Sequence, residues 1–343
     1  MSEDVKKNAI TIADVAATAK VSRTTVSHAL NGKGQVNSET QKRIQAIAEQ
    51  LGYRPNRYAQ ALRSGGNKTI ALISSIPAAI SGGVSKLGFM MEIATVAASY
   101  AMEHGLFVLL VPSLDTKNTD LNHLNIDGAI LLEPSYDDEI LKKLSQQNIP
   151  FVSIGRPSLA AEKFSYVDLA SYQTTENLLS HLQQQGAKQI ALMIGQAQRT
   201  SYLEAEQAYR ASCQAHHMSE KVYAIAEAQG EIGAKNAVHQ ILKDHPNTDA
   251  ILVLVDTFAS GVMQYLQENQ IAVPKQIKVA TRYNGVRAQM SQPPLTAVNL
   301  HLDEVAKTAI DLLIEQLQTP TLYPQVQQIS PPEIIQRESS LQE

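Results

Sequence analysis

The chain has 343 residues, 44% of them hydrophobic, with a net charge of −4 and one cysteine. That length accommodates more than one domain. The lone Cys213 excludes an internal disulfide and reads as a packed, inert thiol, and no Cys/His cluster has metal-ligand spacing, so neither a metal nor another cofactor is expected. No apolar run approaches the ~20 residues of a membrane span, and Met1 to Lys7 lacks a signal-peptide core, so a cytoplasmic protein is expected.

The first predicted elements are helical. Ile12, Val15, Ala16 and Ala19 recur at i, i+3, i+4 and i+7, one apolar face of a short helix. Thr11 with Asp14 reads as its N-cap and capping-box acid. A break follows at Lys20-Val21, after which Ser22 can cap a second helix whose Val26, Ala29 and Leu30 share a face. Two short helices across a tight turn make a helix-turn-helix, whose second helix enters the DNA major groove.

At about 100° per residue, Arg23, Thr24, Ser27 and His28 lie on the polar face of that second helix. Side chains of this kind reach base edges, while hydroxyls and helix-end N–H groups hold phosphate. An ordinary amphipathic hairpin with a solvated outer face has the same spacing. A third helix follows, capped by Asn37/Ser38, burying Ile44, Ile47, Ala48 and Leu51 and stopping at Gly52. Pro55 then suits a helix start. The segment from there to Arg63 spans two turns, too short to be stable alone in water, and should order only against a partner.

Together, Asp14-Val-Ala-x-x-Ala-x-Val-Ser-x-Thr-Thr-Val-Ser-His-x-Leu-Asn31 and Leu51-Gly-Tyr-x-Pro-Asn-Arg-x-Ala-x-x-Leu-Arg63 resemble the lac-repressor (LacI/GalR) family of bacterial transcription regulators. The resemblance is dense over Thr11 to Arg63 and looser to about Ser339. It implies an all-α helix-turn-helix headpiece plus hinge helix, followed by an α/β two-lobed periplasmic-binding-protein-like core with parallel sheets. By this resemblance residues 1–55 form the headpiece and 56–68 the hinge helix and linker. The effector-binding and dimerisation core is 69–343, with lobe 1 at about 69–165 and 295–318 and lobe 2 at about 166–294 and 319–343.

The same resemblance puts two hinge helices together at the operator centre, where an apolar side chain from each wedges into the minor groove. Leu62, with Ala59, occupies that position, and such a wedge kinks DNA so that more protein surface is contacted. The reading assigns base contacts to Arg23, Thr24, Ser27 and His28. It assigns phosphate contacts to Thr11, Ser22, Thr25, Asn31, Tyr53, Asn56 and Arg57. The expected partners are a palindromic double-stranded operator, a second copy of the chain and a small-molecule effector, either a sugar or an anionic metabolite. The C-terminal end lacks the leucine heptads that would pair dimers into tetramers.

Charge follows the same division. Residues 1–68 hold eleven Lys/Arg against five Asp/Glu, a net of +6, so the rest of the −4 chain carries −10. A basic arm on an acidic body suits a protein that meets phosphate at one end.

From Lys68 the texture changes to strands alternating with helices. Apolar strands are predicted at Thr69–Ile73, Leu106–Val111, Gly128–Leu132, Pro150–Ile154, Gln189–Ile194, Val222–Ala226, Ala250–Val255 and Ile277–Thr281. Helices are predicted at Phe89–His104, Asp138–Gln147, Thr174–Gln185, Tyr202–His216, Glu231–Lys243 and Ala259–Asn269. This pattern means parallel sheets of βαβ units. Ligands in such folds bind outside the carboxyl ends of the strands.

The resemblance thins at the effector site. The family's arginine position on the helix after the Gln189–Ile194 strand is Ala205, three residues before Ala208-Tyr209. Its Asn-Asp is Val255-Asp256, and its Tyr-Asp-Asp is Arg282-Tyr283-Asn284. Ser75, Arg156, Asp168, Tyr202, Asp256 and Arg282 stand at strand ends as candidates for a reshaped pocket. Arg156 and Arg282 could grip an anion bidentately; alternatively, Arg282 and Asp256 form a salt bridge that closes the site. Glu133, Asp137 and Asp138 read as solvated. Ser81-Gly82-Gly83 reads as a loop, without a phosphate-binding pattern around it. No nucleophile elbow, zinc-protease or P-loop motif is present, so an enzyme is not expected. A solute-binding protein and a DNA-binding protein that needs no small-molecule effector are the alternatives.

Overall fold

The computed structural model describes residues 12–31, 36–51, 69–76, 88–111, 121–157, 161–319 and 324–341. The chain divides into two units, 1–67 and 68–343. The expected hinge and Thr11 lie outside the described residues.

In the first unit, α1 (Ile12–Ala19), α2 (Arg23–Asn31) and α3 (Ser38–Gln50) surround a small apolar core. Val15, Val26 and Ile44 are fully buried at its centre, with Ala16, Ala19, Ala29 and Ala48 around them. The break falls at Lys20, whose φ of 51° is the left-handed turn that redirects the chain. The Ser22 hydroxyl then accepts the Thr25 N–H at 3.0 Å, and Asn37 Oδ1 accepts the Glu39 N–H at 2.9 Å. These bonds satisfy amides that would otherwise lack partners at the starts of α2 and α3.

In the second unit, strands and helices alternate as β1 (Thr69–Ser74), α4 (Phe89–Glu103), β2 (Phe107–Val111), β3 (Gly128–Leu132), α5 (Glu139–Gln146), β4 (Phe151–Ile154) and β5 (Ser165–Asp168). There follow α6 (Ser171–Gln184), β6 (Ile190–Gly195), α7 (Thr200–Ala215), β7 (Val222–Ile225), α8 (Gly230–Asp244), β8 (Ala250–Val253), α9 (Asp256–Glu268) and β9 (Lys278–Thr281). The chain ends with α10 (Val286–Met290), β10 (Ala297–Asn299), α11 (Leu302–Gln318), β11 (Val326–Gln328) and β12 (Glu333–Ile335).

Two sheets result. The first has the order β11-β5-β4-β3-β1-β2 and the second β7-β6-β8-β9, and all these neighbours run parallel. The fully buried strands β3, β4, β6 and β8 are the near-continuous apolar runs that doubly covered parallel strands require. The short β10–β12 ladder continues the second sheet, since the Thr281 N–H donates to the Thr296 carbonyl at 2.9 Å.

The sequence reading needs three corrections, the first being that residues 295–299 still belong to the second lobe, so the chain returns to the first only after Asn299. Ser165–Asp168 is a strand of the first sheet, so the first crossing between lobes comes after Asp168. The last strands do not both belong to the second lobe. β11 pairs with β5 in the first sheet, and only β12 returns to the second. β11 and β12 are three residues each, and their sheet is set by pairing partners remote in sequence.

The first two crossings are built alike. At one, Asp168 Oδ1 accepts the Ala170 N–H at 2.9 Å, Ala170 takes φ 46°, and α6 begins. At the other, Asn299 Oδ1 accepts the His301 N–H at 3.0 Å, His301 takes φ 50°, and α11 begins. An Asx side chain mimics a backbone turn and pins a left-handed residue in front of each helix.

Candidate functional site

On α2 the buried side carries Val26 and Ala29, and the opposite side presents Arg23, Thr24 and His28 to solvent. Ser27 lies half-buried at the edge of that face. The hydroxyls of Ser22 and Thr25 are 2.8 Å apart, so the pair is engaged in the cap. Asn31 is the last residue of α2. Tyr53, Asn56, Arg57, Ala59 and Leu62 lie outside the described residues, as do Ser81, Gly82 and Gly83.

A second site lies between the lobes of the core, at the carboxyl ends of β1, β3, β6, β8 and β9. It is lined by Ile76, Phe89, Leu254, Val255, Tyr283 and Leu300, together with the polar side chains of Glu133, Arg199, Tyr202, Asp256 and Arg282. The open space is about 60 Å³, small beside the ~300–1,000 Å³ of ligand pockets in general. Four charged side chains, Glu133, Arg199, Asp256 and Arg282, share the cleft with its apolar walls.

Arg199 stands at the centre. It is 2% exposed; its Nε and Nη2 donate to the Glu227 carboxylate at 2.9 and 3.0 Å, its Nη1 to the Glu133 carbonyl, and its Nη2 also to the Ser75 carbonyl at 3.0 Å. Burial opposes the Arg199 charge, but Glu227 outweighs that and raises the guanidinium above its ordinary value. Tyr202 donates to Glu227 Oε1 at 2.9 Å, and its hydroxyl is pushed well up by burial and by that carboxylate.

Glu133, on the turn after β3, reaches into the second lobe. Its Oε1 accepts from Arg282 Nη2 at 3.1 Å and its Oε2 from the Ser201 hydroxyl at 2.6 Å. Tyr283 donates across the cleft to Glu92, and the Tyr136 N–H donates to the Gln198 carbonyl at 2.7 Å. Side chains and backbone of the two lobes thus hold each other directly.

The six candidates fare differently. Tyr202, Asp256 and Arg282 line the cleft, and Ser75 reaches it through its carbonyl. Asp168 is half-buried, and one of its oxygens accepts from the Ala170 N–H at the crossing. Arg156 is exposed and ion-paired to Glu204, so it forms no anion grip with Arg282. The arginine that shares the cleft with Arg282 is Arg199, which the sequence reading passed over. Its visible signal was its place in the loop after a buried strand.

Nor does Arg282 pair with Asp256. Asp256 binds Arg287 Nη1 at 3.0 Å and is held above the usual carboxylate range by burial, against the pull of Arg287. Of the three acids read as solvated, only Asp137 is exposed, bound to Lys142 at 2.7 Å. Glu133 is 5% exposed, and Asp138 is buried as the N-cap of α5. Their partners lie in another lobe or along the backbone, where composition gives no hint of them.

Ala205 is fully buried, and the Tyr209 hydroxyl donates to the Ile190 carbonyl at 2.7 Å and accepts the Lys221 N–H at 2.9 Å. Tyr209 is therefore locked into the core of the second lobe. Cys213 is buried nearby, and burial pushes its thiol up. Among the described residues, no group of three or more His, Cys, Asp or Glu side chains is placed to hold a metal ion. None of their helices is long and apolar enough to cross a membrane.

Residues 11–56 match the model of bacterial regulatory proteins of the lacI family, and residues 179–340 that of a periplasmic binding protein-like domain. The chain is 26% identical over 331 residues to the HTH-type transcriptional regulator CelR of Thermobifida fusca, covering 92% of this chain and 94% of that protein. It is 27% identical over 338 residues to the HTH-type transcriptional repressor PurR of Vibrio atlanticus, covering 95% and 97%. In fold it resembles the lac repressor dimer bound to operator and the anti-inducer ONPF, with a TM-score of 0.80 at 21% identity over 98% of this chain and 100% of that one. A helix-turn-helix unit followed by a two-lobed α/β core makes this chain a member of the lacI family of bacterial regulatory proteins, a DNA-binding transcriptional regulator and not an enzyme.

Proposed function

We propose that the chain is a repressor that binds a near-palindromic operator as a homodimer in the cytoplasm, where its DNA lies. The observation that carries this is the two-faced α2. Val26 and Ala29 seat it on the headpiece core, which leaves Arg23, Thr24 and His28 facing solvent. A helix held from behind with donors in front fits the major groove. In this reading Ser27 joins the base contacts, while Thr11, Ser22, Thr25, Asn31, Tyr53, Asn56 and Arg57 hold phosphate. Leu62 and Ala59 wedge the central step, which favours a flexible pyrimidine–purine sequence.

The inter-lobe cleft is the effector site in this reading. An effector acts by binding one arrangement of the lobes better than the other, and the difference passes through residues 56–68 to the DNA. The relatives named as regulators of the same build support this reading.

Fluorescence anisotropy on selected operator and scrambled duplexes tests it. Arg23→Ala should cost the operator complex about 1–3 kcal/mol, the worth of a good base contact, with a much smaller effect on the scrambled duplex. Leu62→Ala should likewise weaken specific binding far more than nonspecific binding. Equal losses on both duplexes would remove the base-reading and wedge assignments.

A further inference from the structure

We propose that the cleft takes a small carboxylate-bearing organic acid, whose carboxylate replaces that of Glu133 on Arg282. This rests on the reading of the cleft as the effector site and specifies its ligand chemistry.

The first observation is an unfinished arginine. Arg282 is 6% exposed and lines the cavity; its Nη2 serves Glu133 and the Ser171 hydroxyl at 3.2 Å, but its Nε is buried without a partner. A guanidinium offers a planar fork that a carboxylate fills with two parallel bonds. Glu133 supplies one oxygen and spends the other on Ser201. The fork at Arg282 is half used.

The second is charge. Arg199 is balanced by Glu227 and Arg287 by Asp256, whereas the acid on Arg282 is Glu133. A ligand carboxylate that displaced Glu133 would keep Arg282 compensated. A neutral ligand that did so would leave a buried cation without its anion, which is strongly unfavourable.

The third is space. With Glu133 in place, about 60 Å³ remains, walled by Phe89, Leu254, Tyr283 and Leu300. Those walls suit a compact apolar or aromatic body, while the polar groups beside them, Arg199, Tyr202 and Asp256, already hold Glu227 and Arg287.

The fourth is the turn itself. Glu133 holds φ 47°, a left-handed conformation that costs a non-glycine residue energy. The same turn reaches solvent at Tyr136 and Asp137. Glu133 is thus a tethered occupant, held in a strained position and able to leave toward water.

The test is chemical rescue in the full-length protein. Glu133→Ala should melt several degrees below wild type, and propionate at tens of millimolar should restore most of that loss. Sodium chloride at matched ionic strength and propionamide, the neutral analogue, should not. Propionate should have no effect on Glu133→Ala/Arg282→Met. If Glu133→Ala does not fold, Glu133→Gln takes its place, with propionate again expected to raise the melting temperature and propionamide not.

Equal effects of propionate and propionamide, or no effect of either, would overturn the proposal. So would a neutral sugar that stabilises wild type in an Arg282-dependent way, although that result would uphold the cleft as the effector site. Carboxylate binding at Arg282 that leaves operator affinity unchanged would uphold the ligand chemistry and remove the effector role.

Discussion

Arg199 and Glu227 meet in a two-point ion pair, Nε to Oε1 and Nη2 to Oε2, with their side chains 3% and 4% exposed. The remaining donors of Arg199 reach across the cleft to the carbonyls of Ser75 and Glu133. Its charge is settled within the second lobe, and its hydrogen bonds join that lobe to the first.

Removing one partner strands the other. Glu227→Ala should destabilise the core by roughly 3–5 kcal/mol, as loss of half of a buried pair does, whereas Arg199→Met/Glu227→Leu should recover much of that. Urea denaturation of the three proteins checks both statements. A double variant no more stable than Glu227→Ala would mean that the pair contributes mainly by its bonds across the cleft.

Gly195 ends β6 beneath Tyr202. A Cβ there would stand 2.5 Å from Tyr202 Cε2, and Tyr202 is itself held by Glu227. Gly195→Ala should therefore cost about 1–3 kcal/mol as an overpacked site. The cost should persist in Tyr202→Phe, whose ring still fills the space, and shrink in Tyr202→Ala. Melting temperatures of the six proteins, each background with and without Gly195→Ala, decide it.

Ser22 keeps the cap of α2, and the proposed function also gives it a phosphate to hold. Ser22→Ala should remove about 1 kcal/mol from α2. Ser22→Asp keeps an acceptor at the N-cap but brings a negative charge to the DNA side. Circular dichroism should thus find normal helicity in Ser22→Asp while anisotropy finds weakened DNA binding. Unchanged DNA affinity in both variants would confine Ser22 to the cap.

His181 is buried and bonds the Ser340 hydroxyl at 2.8 Å, which in turn lies 2.6 Å from the Thr296 hydroxyl. Burial holds its imidazole below the usual 6.5, so the native state favours the neutral ring. The unfolded chain takes up the proton first as pH falls. The stability contributed by His181 is complete above 6.5 and is lost as pH drops toward the lowered native value. Melting temperature should decline on acidification through that window. In His181→Gln this part of the slope should vanish.

The elements were legible because their causes are local. Val15, Ala16 and Ala19 repeat at helical spacing, Ser22 and Asn37 cap by contact with amides two or three residues on, and buried strands such as Ala250–Val253 are unbroken apolar runs. The polar face of α2 follows from the same 100° step. Short strands were harder. Ser165–Asp168 and Val326–Gln328 carry little apolar signal, and their sheet is chosen by partners far along the chain.

The cleft shows the limit most clearly. That polar residues cluster at strand ends followed from the alternation of strands and helices, and three of the six candidates line the site. Which of them pair did not. Glu133 and Arg282 are 149 positions apart, and Arg199 meets Glu133 from 66 away. A carboxylate in a polar loop is cheapest in water until a folded neighbour brings a guanidinium within reach, and only then does burial become tolerable. The sequence by itself determined most of the helices, the longer strands, the basic arm and the polar outer face of α2, because spacing and hydrophobicity act within a few residues. The tertiary structure decided the charge partners of the cleft, because Coulomb energy depends on distances that only the closed chain sets.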